Sequence, residues 1–297
     1  MGEWTETFRG MVKAWEVDAF EHFTVAYYYR CLGDATLNLF ALCDLGPRHM
    51  FDERRALATI WSSARFRAEL RAGDLLHIDS GVLDADSRGA RVAHRLYNSG
   101  AGTLAAQFEL RLRYMDLDSR RGAAFDPSLQ SRLTPYIVAE EDARLSPPVT
   151  PQDDSSFESS AYDTVKPTEL DVLGHMNVEY YVHRFSDAST QTLARFGMTP
   201  SYMRDHRVGF STFEIQARFL RELKAGDRVR TVSTVVEAGN SSLRMLHRMY
   251  NVDSGEIACE MLQYGVHLDM DARRPSRFPS ALRDAARALA VDTKPAP

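Results

Sequence analysis

The stretch ARFRAELRAGD at residues 64 to 74 comes back as ARFLRELKAGD at 217 to 227, a displacement of 217 − 64 = 153. The same displacement puts Asp18 under Asp171, since 171 − 18 = 153, and the agreement runs on without a gap. Val12, Lys13, Glu16, His22, Val25, Tyr27, Tyr28, Asp34 and Ala35 fall on Val165, Lys166, Glu169, His175, Val178, Tyr180, Tyr181, Asp187 and Ala188. Pro47 falls on Pro200, and HRLYN at 94 to 98 falls on HRMYN at 247 to 251. A register held over so many separate blocks, with a period too long for a solenoid, makes each copy a domain. The 297 residues, 44% apolar and 26% charged, are enough to bury two cores.

The expected division is a first domain over 1–118, a linker over 119–157, a second domain over 158–280 and a tail over 281–297. The linker reading rests on SRRGAAFDPSLQSR and the Pro/Asp/Ser-rich SPPVTPQDDSSFESS. In the tail, LRDAARALA predicts a short surface helix and TKPAP a frayed end. Within the second copy, Tyr181, Phe185, Ala188, Thr192 and Phe196 recur at helical spacing, and Gly197 follows where a helix would stop. Tyr28, Leu32, Ala35 and Leu39 repeat that spacing in the first copy. Downstream, FEIQARFLREL, DRVRTVSTVVEA, SSLRMLHRMYNV and EIACEMLQYGVHLD alternate and carry β-branched residues, with turn-like EAGNSS and VDSGE among their breaks. One helix followed by an antiparallel meander is an α+β domain whose sheet buries one face on the helix. The aromatic helix face is therefore read as core.

Ahead of each helix stands an acid and an imidazole: Asp171 with Gly174 and His175, and Asp18 with His22. Asn177 and Thr24 are residue types that cap helices, and they immediately precede Val178 and Val25. Helix N-termini hold backbone N–H groups without internal partners and a partial positive charge. Free amides at Val178 and Val25 are therefore placed to polarise a carbonyl, with Asp171 and Asp18 acting as base or nucleophile on it. The plain alternative is that each Asp only caps its loop. His175 either orients the reacting groups or bonds to backbone for structural reasons. Glu21 replaces Gly174 in the first copy, so a backbone conformation suited to Gly is expected to be missing there, or Glu21 supplies a second carboxylate. Asp171 ranks above Asp18 on that ground. Asp34 and Asp187, beside the buried helix faces, are read as structural hydrogen-bonding groups. Thr59 and Thr212 either contact substrate or, on the simpler reading, stabilise a strand, and Arg65, Arg218, Arg71 and Lys224 either meet the phosphates of CoA or, on the commoner reading, form a solvated sheet edge.

The pattern D-x-x-G-H-x-N, then Tyr180-Tyr181, then Asp187-Ala188, resembles the hotdog-fold acyl-CoA thioesterases of the 4-hydroxybenzoyl-CoA thioesterase type. In that family an antiparallel sheet wraps a long helix, and two hotdogs pair with active sites at their interface. The resemblance covers essentially each copy. It implies an intrachain pseudodimer, similar to plant acyl-ACP thioesterases, with room for further homo-oligomers. It also implies a catalytic carboxylate at Asp171 and a carbonyl-polarising amide at Val178. Leu173 stands where the plant enzymes carry Asn between Asp and His. The implied substrate is a thioester of CoA or acyl carrier protein, and no metal or redox cofactor is implied. Two rivals are a hotdog dehydratase or hydratase acting on acyl thioesters, and a non-catalytic acyl-thioester binding protein.

The net charge of −5 and pI near 6.0 supply no general field for nucleic acid or anionic membrane. MGEWTETFRG lacks the regions of a secretory signal, and no apolar run approaches bilayer length. Cys31, Cys43 and Cys259 form no metal or redox motif and fit reduced core thiols, so a cytoplasmic protein is expected.

Overall fold

The computed structural model describes residues 2–139, 150–151 and 153–291. The chain divides into two compact units, Met1–Ser146 and Pro147–Pro297. The first unit runs β1 (Thr5–Met11), α1 (Val25–Leu42), α2 (Pro47–Asp52), β2 (Arg55–Phe66), β3 (Leu75–Asp86), β4 (Gly89–Asn98), β5 (Thr103–Asp116), β6 (Arg121–Gly122) and α3 (Pro127–Leu133). Its main strands lie in the order β1-β3-β4-β5-β2, antiparallel throughout. The second unit repeats this as β7 (Glu158–Thr164), α4 (Val178–Arg195), α5 (Pro200–Asp205), β8 (Val208–Phe219), β9 (Arg228–Ala238), β10 (Ser242–Asn251), β11 (Ile257–Asp269), β12 (Arg274–Pro275) and α6 (Ser280–Ala288). Its order is β7-β9-β10-β11-β8, again antiparallel.

Each sheet lies against its long helix, the α+β arrangement expected. Tyr28, Leu32, Ala35 and Leu39 are buried on α1, and Tyr181, Phe185, Ala188 and Thr192 are buried on α4. Aromatic edges lock helix to sheet: Tyr28 meets Phe66 with ring centroids 5.1 Å apart, and Tyr181 meets Phe219 at 5.5 Å. Withdrawing a side chain such as Phe185 completely from water contributes about 1.5–3 kcal/mol. All three cysteines are free thiols in the core, and burial pushes the pKa of Cys31 up to about 11 and that of Cys43 up to about 12. No helix among the described residues is long and apolar enough to cross a membrane.

The segment read as linker is partly folded. β6 pairs with β5, and α3 is capped by Asp126, whose Oδ1 accepts from the amides of Ser128 at 2.8 Å and Leu129 at 3.1 Å. Phe125, Leu129, Leu133 and Val138 are buried, so this stretch completes the first core. Its signal was in the repeat: Arg120, Arg121, Phe125 and Leu129 fall on Arg273, Arg274, Phe278 and Leu282. Segment 150–157 is tied to the second unit through Arg248, which lies 3.1 Å from Asp154 and 2.8 Å from Glu260. The expected tail helix forms as α6, and beyond it Ala290 bridges to Val235 of β9. SPPVTPQDD lies mostly, and TKPAP wholly, outside the described residues.

Candidate active site

The loop ahead of α4 is a miniature hairpin closed by its own aspartate. The Asp171 amide donates to the His175 carbonyl at 2.7 Å, and Gly174 donates back to the Asp171 carbonyl at 3.1 Å. Asp171 Oδ1 accepts from the amides of Leu173 at 2.8 Å and His175 at 3.1 Å. The loop ahead of α1 copies it, with Asp18 Oδ1 accepting from Phe20 at 2.8 Å and His22 at 3.0 Å. These are Asx turns, so part of each carboxylate is spent on its loop, as the plain alternative holds. Oδ2 of Asp171 makes no hydrogen bond among the described residues. Asp171 is half-buried, whereas Asp18 is exposed.

Two further ties hold the loop. Buried Glu169 takes the Lys166 amide at 2.8 Å and pairs with buried Arg184 of α4 at 2.8 Å. The Met176 amide donates to the Leu223 carbonyl at 2.8 Å, which docks the loop next to the residue before Leu223. That neighbour is Glu222, whose Oε2 lies 3.1 Å from His175 Nε2. The first unit matches: Phe23 donates to Leu70 at 2.8 Å, and Glu69 Oε1 lies 3.2 Å from His22 Nε2. Glu69 and Glu222 were not among the sequence-derived candidates. The available signal was their shared place in the two AR-F repeats, where Arg71 gives way to Lys224 but the acid stays. His175 is buried, and it bonds a carboxylate in addition to its backbone partners.

Thr24 and Asn177 occupy the N-cap positions with extended backbone, as expected, but neither side chain caps its helix. The bonds at these helix starts are made by backbone, Tyr27 to the Thr24 carbonyl at 2.9 Å and Tyr180 to the Asn177 carbonyl at 3.0 Å. The expectation of a side-chain cap is therefore corrected. The consequence is a less occupied helix start: the Val25 and Val178 amides have no intrahelical acceptor, and no cap side chain competes for them. The bonded loop thus brings Asp171, Gly174, His175, Asn177 and Val178 together in one short stretch, and brings Asp18, His22, Thr24 and Val25 together in the other.

Glu21 also departs from expectation. It adopts φ 64°, close to the 78° of Gly174, so the left-handed corner is present in both copies. The Asp18 bonds and the docking of Phe23 impose the corner on a residue with a Cβ, at a cost of about 1–2 kcal/mol. Its carboxylate is exposed. Because a glycine also loosens the unfolded chain, Glu21→Gly is expected to raise unfolding stability in urea by about 0.5–1 kcal/mol. An unchanged or lowered stability would remove the strain argument. At Gly174 a Cβ would meet nothing within 4 Å, so the glycine there serves backbone conformation and not space.

Other candidates are dispersed. Asp34 and Asp187 are exposed, and neither carboxylate makes a side-chain hydrogen bond among the described residues, which corrects the structural role expected of them. Arg218 pairs with Glu260 at 3.2 Å and Arg71 with Glu69 at 3.6 Å, so both already face protein carboxylates. Thr212 accepts a hydrogen bond from Gln263 at 2.6 Å.

The sequence model of the thioesterase-like superfamily matches residues 12–133 and again residues 165–286. A betainyl-CoA thioesterase of Pseudomonas aeruginosa is 28% identical over 140 residues, which span 44% of this chain and 88% of that protein. Among solved structures, a 12:0-ACP thioesterase from Umbellularia californica aligns with a TM-score of 0.68 at 15% identity, over 91% of this chain and 94% of its own. An acyl-ACP thioesterase from Bacteroides thetaiotaomicron aligns with a TM-score of 0.65 at 12% identity, over 88% and 96%. At such identities these likenesses carry the fold, two hotdog domains in tandem, and nothing finer.

Proposed function

Given that the chain belongs to the thioesterase-like superfamily, we propose that it hydrolyses acyl thioesters of CoA or of acyl carrier protein, with the Asp171 loop as the working site. The observation that carries this reading is the half-spent carboxylate: Asp171 uses Oδ1 to build the loop that delivers the Val178 amide, and keeps Oδ2 unbonded. The amide and the helix dipole polarise the thioester carbonyl and stabilise the oxyanion that follows. Asp171 Oδ2 takes a proton from water as it adds to the carbonyl, or attacks the carbonyl itself, in which case the acyl–Asp171 anhydride left after C–S cleavage is then opened by water. Collapse of the tetrahedral species breaks the C–S bond, and the thiolate leaves and is protonated. Rapid-quench mass spectrometry in a single turnover separates the two routes, because only direct attack passes through an acyl group bound to Asp171.

Glu222 acts through His175, holding the ring by its Nε2. Glu222→Gln is expected to lower kcat by about 10- to 100-fold with KM little changed, by analogy with outer-shell partners elsewhere. A change confined to KM would instead place Glu222 in substrate binding. The test of the function as a whole is thiol release, followed with a thiol-reactive dye, on straight-chain, aromatic and betainyl acyl-CoAs. Hydrolysis frees the thiol, hydration or dehydration alters the acyl group without freeing it, and a binding protein does neither.

A further inference from the structure

One hydrogen-bonded row crosses the whole second sheet beneath α4, taking one side chain from each strand in spatial order. It runs from Ser160 on β7 to Ser233 on β9 at 2.6 Å, and on to His247 Nδ1 of β10 at 2.6 Å. From His247 Nε2 it passes to Gln263 Oε1 of β11 at 3.2 Å, and from Gln263 Nε2 to Thr212 Oγ1 of β8 at 2.6 Å. The first four are buried, Thr212 is half-buried, and the His247 ring lies 5.8 Å from that of Phe185 on α4.

The direction of every proton in this row follows from the other copy. There Thr7, Ser80 and His94 form the same start, with 2.6 Å steps to His94 Nδ1. His94 Nε2 meets Thr36 Oγ1 at 3.3 Å, and Thr36 donates its one hydrogen to the Leu32 carbonyl at 2.7 Å. Thr36 must therefore accept from His94, which places the ring proton on Nε2. Burial keeps both rings neutral, lowering the pKa of His94 to about 3 and that of His247 to about 4, so Nδ1 is an acceptor. With the same tautomer, His247 Nε2–H donates to Gln263 Oε1, the amide is oriented, and its NH₂ donates to Thr212. Thr212 then accepts from the row, and its own O–H finds no acceptor among the described residues.

The two copies end differently. In the first, the row closes on a helix carbonyl, and the position of Gln263 is held by Leu110, since 110 + 153 = 263. In the second, the row delivers an oriented donor to a residue open to one side. A row serving the sheet alone would end on protein, as the first copy does. We propose that Thr212 is a specificity-determining residue whose hydroxyl donates to an oxygen acceptor (hydroxyl, carbonyl or carboxylate) on the acyl group. This rests on the thioesterase reading above.

The test uses pairs of acyl-CoAs matched in length, one plain and one bearing a hydroxyl along the chain, with hydrolysis followed by thiol release. Binding of the corresponding non-hydrolysable thioethers is followed by calorimetry. One directed hydrogen bond is worth about a 3- to 10-fold preference. The full chain is expected to show that preference in KM and in thioether affinity, Thr212→Val to lose it, and Thr212→Ser to keep it. Gln263→Leu, which reproduces the first copy's ending, is expected to weaken the preference and serves if the valine variant does not fold. No preference in the unmodified chain, or one unchanged by Thr212→Val and Gln263→Leu, overturns the proposal. If no thioester is cleaved but the thioethers bind with a Thr212-dependent preference, hydrolysis falls and the role of Thr212 stands.

Discussion

Asp171→Asn is expected to lower kcat for thioester hydrolysis by about 10²- to 10⁴-fold, a loss of about 3–5 kcal/mol of barrier stabilisation. The substitution isolates chemistry from architecture. Asparagine keeps an acceptor oxygen for the amides of Leu173 and His175, so the loop and the Val178 amide stay in place. What changes is the unbonded oxygen, which becomes an NH₂ that can neither take a proton from water nor attack a carbonyl. The urea midpoint is therefore expected to move little. The matching Asp18→Asn is expected to cost less, because Asp18 stands in solvent on a loop whose corner is strained by Glu21. Steady-state kinetics on the same acyl-CoA for both variants decides the matter. Full activity in Asp171→Asn, with loss in Asp18→Asn, would reverse the ranking of the two loops.

Acidification from pH 6.5 to pH 5 is expected to remove about 3 kcal/mol of folding stability, about 1.6 kcal/mol from each of two histidines. His94 and His247 are sealed in the two cores, and burial lowers their pKa values to about 3 and about 4. In the unfolded chain each titrates near the ordinary value of 6.5. As pH falls below that value the unfolded state binds protons that the folded state refuses, so stability falls with pH until the folded pKa values are reached. Each unit of pH in that window costs about 1.4 kcal/mol per histidine. Burial shifts His183 and His267 in the same direction, adding to the slope. Urea unfolding at closely spaced pH values between 5 and 7 measures it, and a flat stability over that range would mean that both rings charge in the folded state.

Much of the candidate site's local geometry was legible because it is made by near neighbours in sequence. Asp171, Gly174, His175 and Val178 lie within eight residues, and a loop that short leaves its backbone few ways to turn into a helix. Their repetition as Asp18, His22 and Val25 showed that the arrangement was kept through a duplication. The helix faces were legible for a similar reason, since Tyr181, Phe185 and Ala188 are placed by the helical period alone. Less visible was any group whose partner comes from another element. Glu222 meets His175 because the Met176 amide docks on Leu223, and no spacing announces that contact. Asn177 has the type and the position of a cap, yet its side chain makes no capping bond. Glu21 was expected to abolish a conformation that its surroundings impose. The folded run from Arg121 to Leu133 was lost among loop-forming residues, although Phe125 and Phe278 kept the period of the repeat.

The sequence by itself determined two homologous α+β units, the helix that each sheet covers, and an acidic loop feeding each helix start. All of these follow from periodicity and nearest-neighbour chemistry. Tertiary structure alone decided that Glu222 holds His175, that Oδ1 of Asp171 is spent while Oδ2 is not, and that a polar row ends on Leu32 in one copy and Thr212 in the other. The physical reason is range. A helical face or an Asx turn is settled within a few bonds of the residue that makes it. A hydrogen bond between strands depends on register and on which proton each group has already given away.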